Sequence, residues 1–115
     1  EDLVVGNTLI VNGTTTLKGY TKISGDVEFE QEITVSNNTA GTVSVNKSAT
    51  KVKVLYERPK VGSPVVTLTP RDVEEGVSVS FSVVNSDRLG FEIQIETSGI
   101  PQKDYKFNWV SLSVK

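Results

Sequence analysis

Residues 3–35 read LVVGNTLIVNGTTTLKGYTKISGDVEFEQEITV, and this stretch repeats with a period of six residues. One apolar series keeps that spacing without a gap, at Val5, Val11, Leu17, Ile23, Phe29 and Val35. A second series runs two positions earlier, through Leu3, Leu9, Thr15, Thr21, Val27 and Ile33. Residues i and i+2 of an extended strand point to the same side, so each pair of positions forms one apolar face.

Glycines at positions 13, 19 and 25 follow the same six-residue period, at places where tight corners are needed. Each hexad is therefore predicted to be a short strand followed by a bend. Such a period is typical of β-helices and β-prisms. An ordinary meander of short antiparallel strands is the alternative, although a meander gives no reason for a constant spacing of six.

The hexad stretch is too short to bury its own apolar face. A solenoid needs about three or more stacked repeats, and one chain of this length would build fewer coils than that. Three chains wound around one axis would enclose the apolar series as a continuous column. We therefore expect residues 1–36 to be a segment of a homotrimeric shaft with the first series at its core. Because the chain opens at Glu1 and contains no methionine, a processed product or an excised fragment is expected.

The pattern changes at residues 37–41, NNTAG, which are turn-forming. Plain alternation of apolar and polar residues follows, as in VSVSFSV at 77–83 and FEIQIE at 91–96. Strands are predicted near residues 42–45, 52–56, 65–69, 77–83, 91–96 and 105–114, with turns at 59–64, 70–76, 85–90 and 97–104. The fold class is therefore all-β, and residues 37–115 are predicted to form a six-stranded antiparallel β-sandwich knob.

Composition excludes several functional classes. A net charge of −2 without a Lys/Arg cluster argues against nucleic acid as a partner. The chain has no cysteine and no histidine, so thiolate metal sites and the commonest catalytic base are absent, and no enzyme activity and no cofactor are expected. No apolar run reaches the ~18 residues needed to cross a bilayer, so membrane insertion is not expected. A glycan-active enzyme would need a carboxylate pair that converges in space, which sequence alone leaves open.

The segment from residue 51 to residue 114 resembles the H-type lectin fold, a family of small trimeric β-sandwiches found in agglutinins and fibre tips. The resemblance rests on Val52, Val54, Tyr56, Pro64, Val65, Val66, Asp72, Val73, Gly90, Phe91, Phe107, Asn108, Trp109, Val110 and Ser111. The hexads, with their GTTTL run at 13–17, resemble shaft segments of bacteriophage tail fibres and bacterial surface fibres. The resemblance covers core and turn positions, so it speaks for the fold more than for a ligand.

In the family, an aromatic–histidine pair after the fifth strand and an arginine on the fourth strand hold an N-acetylgalactosamine-like sugar. This chain has Thr97 and Ser98 at the place of the pair and serines at the place of the arginine, so the family's sugar site is not carried over. The loop that occupies that place still offers polar groups. The candidate ligand-binding residues are Thr97, Ser98, Gln102, Lys103, Asp104 and Arg71, against the alternative of an ordinary hairpin loop.

Three further features have an ordinary reading beside a functional one. Trp109 is expected in the core or at the trimer axis rather than as a sugar-stacking platform. The acidic turn with Asp72, Glu74 and Glu75 lacks the spacing of a calcium loop, so no metal is expected. Four cations lie in predicted turns, namely Arg58, Lys60, Arg71 and Arg88. They would form an anion-binding rim if the three copies converge, and the alternative is that they are scattered on the surface.

These patterns together predict the distal tip of a homotrimeric fibre that attaches to a cell-surface receptor, with a glycan as the expected ligand. The expected location is extracellular, on a virion tail fibre or a bacterial cell surface. The alternative is a purely structural domain that registers and caps three chains and binds nothing.

Overall fold

The computed structural model describes residues 1–114, and the chain divides into two compact units, Glu1–Ile33 and Thr34–Lys115. We call them the N-terminal unit and the sandwich unit. All strands of residues 1–114 lie in the sandwich unit, and this part of the chain contains no helix that could span a membrane. The predicted all-β class is therefore confirmed.

The sandwich unit contains two three-stranded antiparallel sheets, with strand orders β1-β6-β3 and β2-β5-β4. The strands are β1 Ala40–Val45, β2 Lys51–Leu55, β3 Ser63–Arg71, β4 Ser78–Val84, β5 Gly90–Ser98 and β6 Tyr105–Val114. Each sheet therefore has one central strand, β6 or β5, which is paired on both sides.

The two central strands supply most of the core because their sequences alternate. Tyr105, Phe107 and Trp109 of β6 are buried, and so are Phe91 and Ile93 of β5. The residues between them are polar or exposed, as period-two patterning requires of a sheet that buries one face. The two buried faces meet in one sandwich-like core.

Aromatic contacts join the two sheets. The rings of Phe91 and Trp109 lie 5.8 Å apart, and those of Phe81 and Phe107 lie 5.1 Å apart, both edge to face. Trp109 is 6% exposed and its indole lies over Gly41, where an added Cβ would sit 2.8 Å from the ring. The expectation of a core tryptophan is confirmed, and Gly41 gives its ring the space it occupies.

Two strands extend further than the sequence predicted. Pro70 and Arg71 belong to β3, and Thr97 and Ser98 belong to β5, so these residues do not lie in turns. The proline misled the prediction because it cannot donate to a ladder in a central strand. β3 is an edge strand, where proline is tolerated.

The antiparallel strands place alternate loops at opposite ends of the sandwich. The tip end carries the β1–β2, β3–β4 and β5–β6 loops, and the backbone N–H of Lys47 donates to Asp104 there. The entry end carries the turn at 37–39 and the β2–β3 and β4–β5 loops, where the N–H of Arg58 donates to the Asn38 side chain. The chain enters the sandwich opposite the tip end.

The N-terminal unit has bends but no strands. Bends occur at the predicted corners Gly13, Gly19 and Gly25, and Gly19 has a φ of +90°. The predicted short strands are not found in the single chain, because a strand is defined by a ladder to a neighbour. A β-helix or β-prism shaft over residues 1–36 therefore stays a prediction.

The apolar series of the N-terminal hexads is open to water in the single chain. Exposed fractions in the predicted shaft core are 45% for Val5, 52% for Val11, 69% for Leu17, 62% for Ile23, 65% for Phe29 and 51% for Val35. The apolar members of the second series are exposed as well, from 48% at Val27 to 86% at Leu3. One chain does not cover this surface.

Candidate functional site

A shallow groove of about 550 Å³ lies on the outward face of the sheet β2-β5-β4. Its polar lining consists of Thr50, Lys51, Ser80, Ser82, Gln94 and Glu96, and Phe81 and Ile95 complete it. We call it the serine groove. It lies within the sandwich unit alone.

Alternation along β4 explains why the groove forms. Along β4, Val79, Phe81 and Val83 turn toward the core side, and the serines turn outward. In the ladder, Ser80 lies opposite Glu96 and Ser82 lies opposite Gln94. Because the edge strand carries short side chains beside long ones, the surface is concave there.

The groove presents several kinds of hydrogen-bonding group. Hydroxyls of Ser80 and Ser82 can donate and accept, the Gln94 amide does both, and the Glu96 carboxylate accepts. Lys51 adds an ammonium whose Nζ lies 3.4 Å from the Glu92 carboxylate. Phe81 contributes little to this outward surface, because its ring packs edge to face on Phe107 in the core. This set of donors and acceptors suits the hydroxyls of a sugar.

The groove does not have the composition of a glycosidase site. Glu96 is the only carboxylate among its described lining residues, whereas glycoside hydrolysis generally uses a pair on either side of the scissile bond.

The ligand-binding residues predicted from the sequence all lie at or next to the tip end. Gln102, Lys103 and Asp104 lie in the β5–β6 loop, while Thr97 and Ser98 end β5, and Arg71 ends β3. Arg71 pairs with Lys106 across the ladder, which brings it beside the start of β6.

We call these six residues the tip cluster, and two of them, Gln102 and Asp104, form hydrogen bonds that link neighbouring loops. The N–H of Gln102 donates to Glu74 Oε1 at 2.7 Å, and the N–H of Lys47 donates to Asp104 Oδ1 at 2.9 Å. The Arg71 guanidinium lies 3.6 Å from the Asp72 carboxylate. The tip is therefore a braced set of loops, and its role in binding stays a prediction.

Residues of the acidic turn take part in the same contacts between loops. Asp72 faces Arg71, and Glu74 accepts from the β5–β6 loop. Within residues 1–114, no group of three or more acidic, histidine or cysteine side chains is arranged to hold a metal ion.

The predicted rim of cations is divided between the two ends. Arg58, Lys60 and Arg88 lie in loops of the entry end, whereas Arg71 lies at the tip end. Within one chain β3 separates Arg71 from the other three cations, because it runs from one end of the sandwich to the other, and a rim formed by several copies stays a prediction.

Sequence reasoning missed the serine groove as a candidate site. Its signal was present in the serines that alternate with apolar residues along β4. Only the strand order β2-β5-β4 shows that β4 is an edge strand beside Gln94 and Glu96.

Comparisons of the chain with known protein families, with curated proteins and with solved structures find no match. The resemblance to H-type lectins and to fibre shafts therefore stays a hypothesis about this chain.

Proposed function

We propose that this chain is the distal part of a homotrimeric fibre that attaches to a glycan on a cell surface. In this proposal the N-terminal hexads form a shaft with two other copies, and the sandwich unit is a non-catalytic, H-type-lectin-like knob. The assembly acts outside the cell, on a virion tail fibre or on a bacterial surface.

The exposed hexad series is the observation that carries the proposal. Six apolar residues at a constant spacing of six are 45% to 69% exposed in the single chain. Full burial of a large aliphatic or aromatic side chain stabilises by ~1.5–3 kcal/mol, so assembly of three copies has a large driving force. A monomer would leave this surface in water, where it favours aggregation.

A second exposed apolar surface supports self-association. On the outward face of the sheet β1-β6-β3, Val65, Val110, Leu112 and Val114 are 44% to 58% exposed. Val65 lies opposite Leu112 in the ladder, so they form one contiguous patch. This patch is the part of the knob that we assign to contact with neighbouring copies.

The serine groove supports the receptor-binding part of the proposal. Its hydroxyls, amide, carboxylate and ammonium fit sugar hydroxyls, and its shallow form predicts weak binding at one site. Three copies on one trimer would act together, since linked sites can raise avidity by ~100-fold or more without new contacts.

A structural role without any ligand is the rival. Thr97 and Ser98 in place of the aromatic–histidine pair favour it, because the family's sugar contacts are missing at that position. In that case the knob registers the three chains, and the serine groove is only a polar sheet surface.

Binding of the full chain to a glycan array and to bacterial and animal cells tests the proposal. Replacing Ser82 by arginine fills the groove, and we expect it to abolish binding while leaving the fold intact, because position 82 is exposed. Ser78→Arg is the matched control, since Ser78 is an exposed outward serine on the same strand that does not line the groove.

Loss of binding in Ser82→Arg but not in Ser78→Arg would support a receptor site in the groove. Retained binding in Ser82→Arg together with loss in Lys103→Ala would move the site to the tip cluster. A trimer that binds no glycan and no cell would contradict the receptor-binding proposal and support the purely structural role.

A further inference from the structure

A second cleft, of about 430 Å³, lies at the entry end of the sandwich unit. Two cations, three hydroxyls and one amide line it: Arg58, Lys60, Ser36, Thr39, Ser113 and Asn38. None of its described lining residues is acidic. Its volume is within the range of ~300–1,000 Å³ that is typical of small-ligand sites. We call it the entry cleft.

Lys60 is a buried cation without a carboxylate partner among residues 1–114. It is 6% exposed, and its Nζ donates to the backbone carbonyls of Asn38 at 2.6 Å and Ser111 at 2.9 Å. The Nζ also lies 4.9 Å from the centre of the Tyr56 ring. Carbonyl dipoles and a ring face hold the ammonium, but they do not neutralise its charge. Buried lysines are ordinarily paired, so this one is exceptional.

Burial has a measurable electrostatic consequence at this residue. It lowers the pKa of the Lys60 ammonium below its usual value of 10.5. Among residues 1–114, the ion pairs join Lys51 to Glu92 and Arg71 to Asp72, and neither includes a cation of the entry cleft. A bound anion would supply the missing negative charge.

Arg58 stands over the same cleft with its side chain exposed. Its backbone N–H donates to Asn38 Oδ1 at 3.0 Å, which fixes the β2–β3 loop against the turn at 37–39. Its guanidinium makes no ion pair in the described part of the chain. A guanidinium binds a carboxylate through two parallel hydrogen bonds, which an ammonium cannot do.

We propose that the entry cleft binds the carboxylate of an acidic sugar. Arg58 contacts the carboxylate, the buried Lys60 charge strengthens the positive potential, and the hydroxyls and the Asn38 amide contact the sugar hydroxyls. The choice of a sugar rests on the proposed function, which gives this chain a glycan ligand. The site is separate from the serine groove, whose lining shares no residue with it.

The test is a titration of the full ¹⁵N-labelled chain with glucuronate, followed by backbone amide shifts. We expect saturable shifts at Thr39, Arg58 and Ser113, and none of comparable size at Ser80 or Ser82. Glucose, which lacks the carboxylate, should produce no saturable shift at the cleft. Inorganic phosphate should bind at least about fivefold more weakly than glucuronate, because only the sugar offers hydroxyls to the neutral lining groups.

Arg58→Gln should weaken glucuronate binding by about tenfold, since a charge-assisted bidentate contact is lost. Lys47→Gln removes one exposed positive charge at the tip end and should leave binding unchanged. Lys60→Met is avoided as the primary variant because it would leave two buried carbonyls without a donor.

The absence of saturable shifts at the cleft, or equal affinity in Arg58→Gln, would overturn the proposal. Phosphate binding as tight as glucuronate binding would overturn the assignment to a sugar. These outcomes are independent of the proposed function, because a chain that binds no cell through the serine groove still gives a clear result at the entry cleft.

Discussion

The two units of this chain solve the problem of apolar burial in opposite ways. The sandwich unit covers Phe91, Ile93 and Phe107 to 1% exposure or less within a single copy. The N-terminal unit leaves every residue of its apolar series at least 45% exposed. Both units are patterned, with a period of two in one and of six in the other.

A regular apolar pattern therefore predicts that a face is buried, but it does not say whether the same chain or another copy covers that face. The alternating strands of the sandwich unit find their partners within the same chain, as β1 does in β6 and β2 does in β5, although these segments are distant in sequence. A hexad is buried only when other hexads stack on it, and a stretch of this length contains too few hexads to stack on one another.

Truncating one aromatic residue in each unit should distinguish burial within one chain from burial between copies, and it should have the largest effect. Phe107→Ala removes a ring with no exposed surface that packs on Phe81 and Tyr105, and it should lower the free energy of unfolding by ~3–5 kcal/mol. Phe29→Ala should leave unfolding of the sandwich unit unchanged but weaken self-association. Chemical denaturation and sedimentation of both variants measure the two effects. Equal loss of sandwich stability in both would contradict the contrast.

Adding a methyl group at Gly41 tests how tightly the sandwich core is packed. A Cβ there would sit 2.8 Å from the Trp109 ring, so Gly41→Ala should cost ~1–3 kcal/mol through overpacking. Gly25→Ala is the control, since a Cβ there meets nothing within 4 Å in the single chain. Thermal melts of the two variants, followed by tryptophan fluorescence, compare them. A Gly41→Ala chain as stable as the parent would show that the indole can move.

Two buried tyrosines provide a finer comparison within the sandwich unit. The Tyr56 hydroxyl lies 2.7 Å from the hydroxyl of Ser111, whereas the Tyr105 hydroxyl is buried and has no hydrogen-bond partner within the described residues 1–114. Tyr56→Phe should cost ~1–2 kcal/mol because it leaves Ser111 unpaired, and Tyr105→Phe should change stability by less than ~0.5 kcal/mol or increase it. Urea denaturation of both variants distinguishes them. A larger loss from Tyr105→Phe would mean that its hydroxyl has a partner.

Alkaline pH should give the smallest effect. Burial raises the pKa of both Tyr56 and Tyr105 above the usual 10.0, so the folded chain keeps phenol protons that the unfolded chain loses. Stability should therefore fall as the pH rises above about 10. Lys60 has the opposite effect on stability. Because its pKa is lowered in the folded chain, the buried ammonium loses its proton before the unfolded one does, and stability rises as the pH approaches 10.5.

Urea midpoints measured at about pH 8 and about pH 10.5 test this balance. Tyr105→Phe removes one of the two phenols and should reduce the fall. A parent chain whose stability rises over that interval would show that Lys60 outweighs the tyrosines.

The sequence predicted the strands of the sandwich unit well because alternation is a local signal. Phe91, Ile93 and Ile95 are buried as their spacing indicates. It placed Pro70 and Thr97 in turns because the edge position of β3 and the full length of β5 depend on strand order. The serine groove and the entry cleft could not be predicted, since Ser82 meets Gln94 and Lys60 meets Ser111 only through pairing and packing between distant segments.

The solution mass of residues 1–115, measured by light scattering, tests the central claim most directly. We predict threefold the 12.5 kDa of one chain. A double variant, Val11→Asp with Ile23→Asp, should dissociate the trimer while the sandwich unit stays folded, because both positions are exposed in the single chain. A stable parent monomer, with a mass that does not change in the double variant, would contradict the fibre proposal.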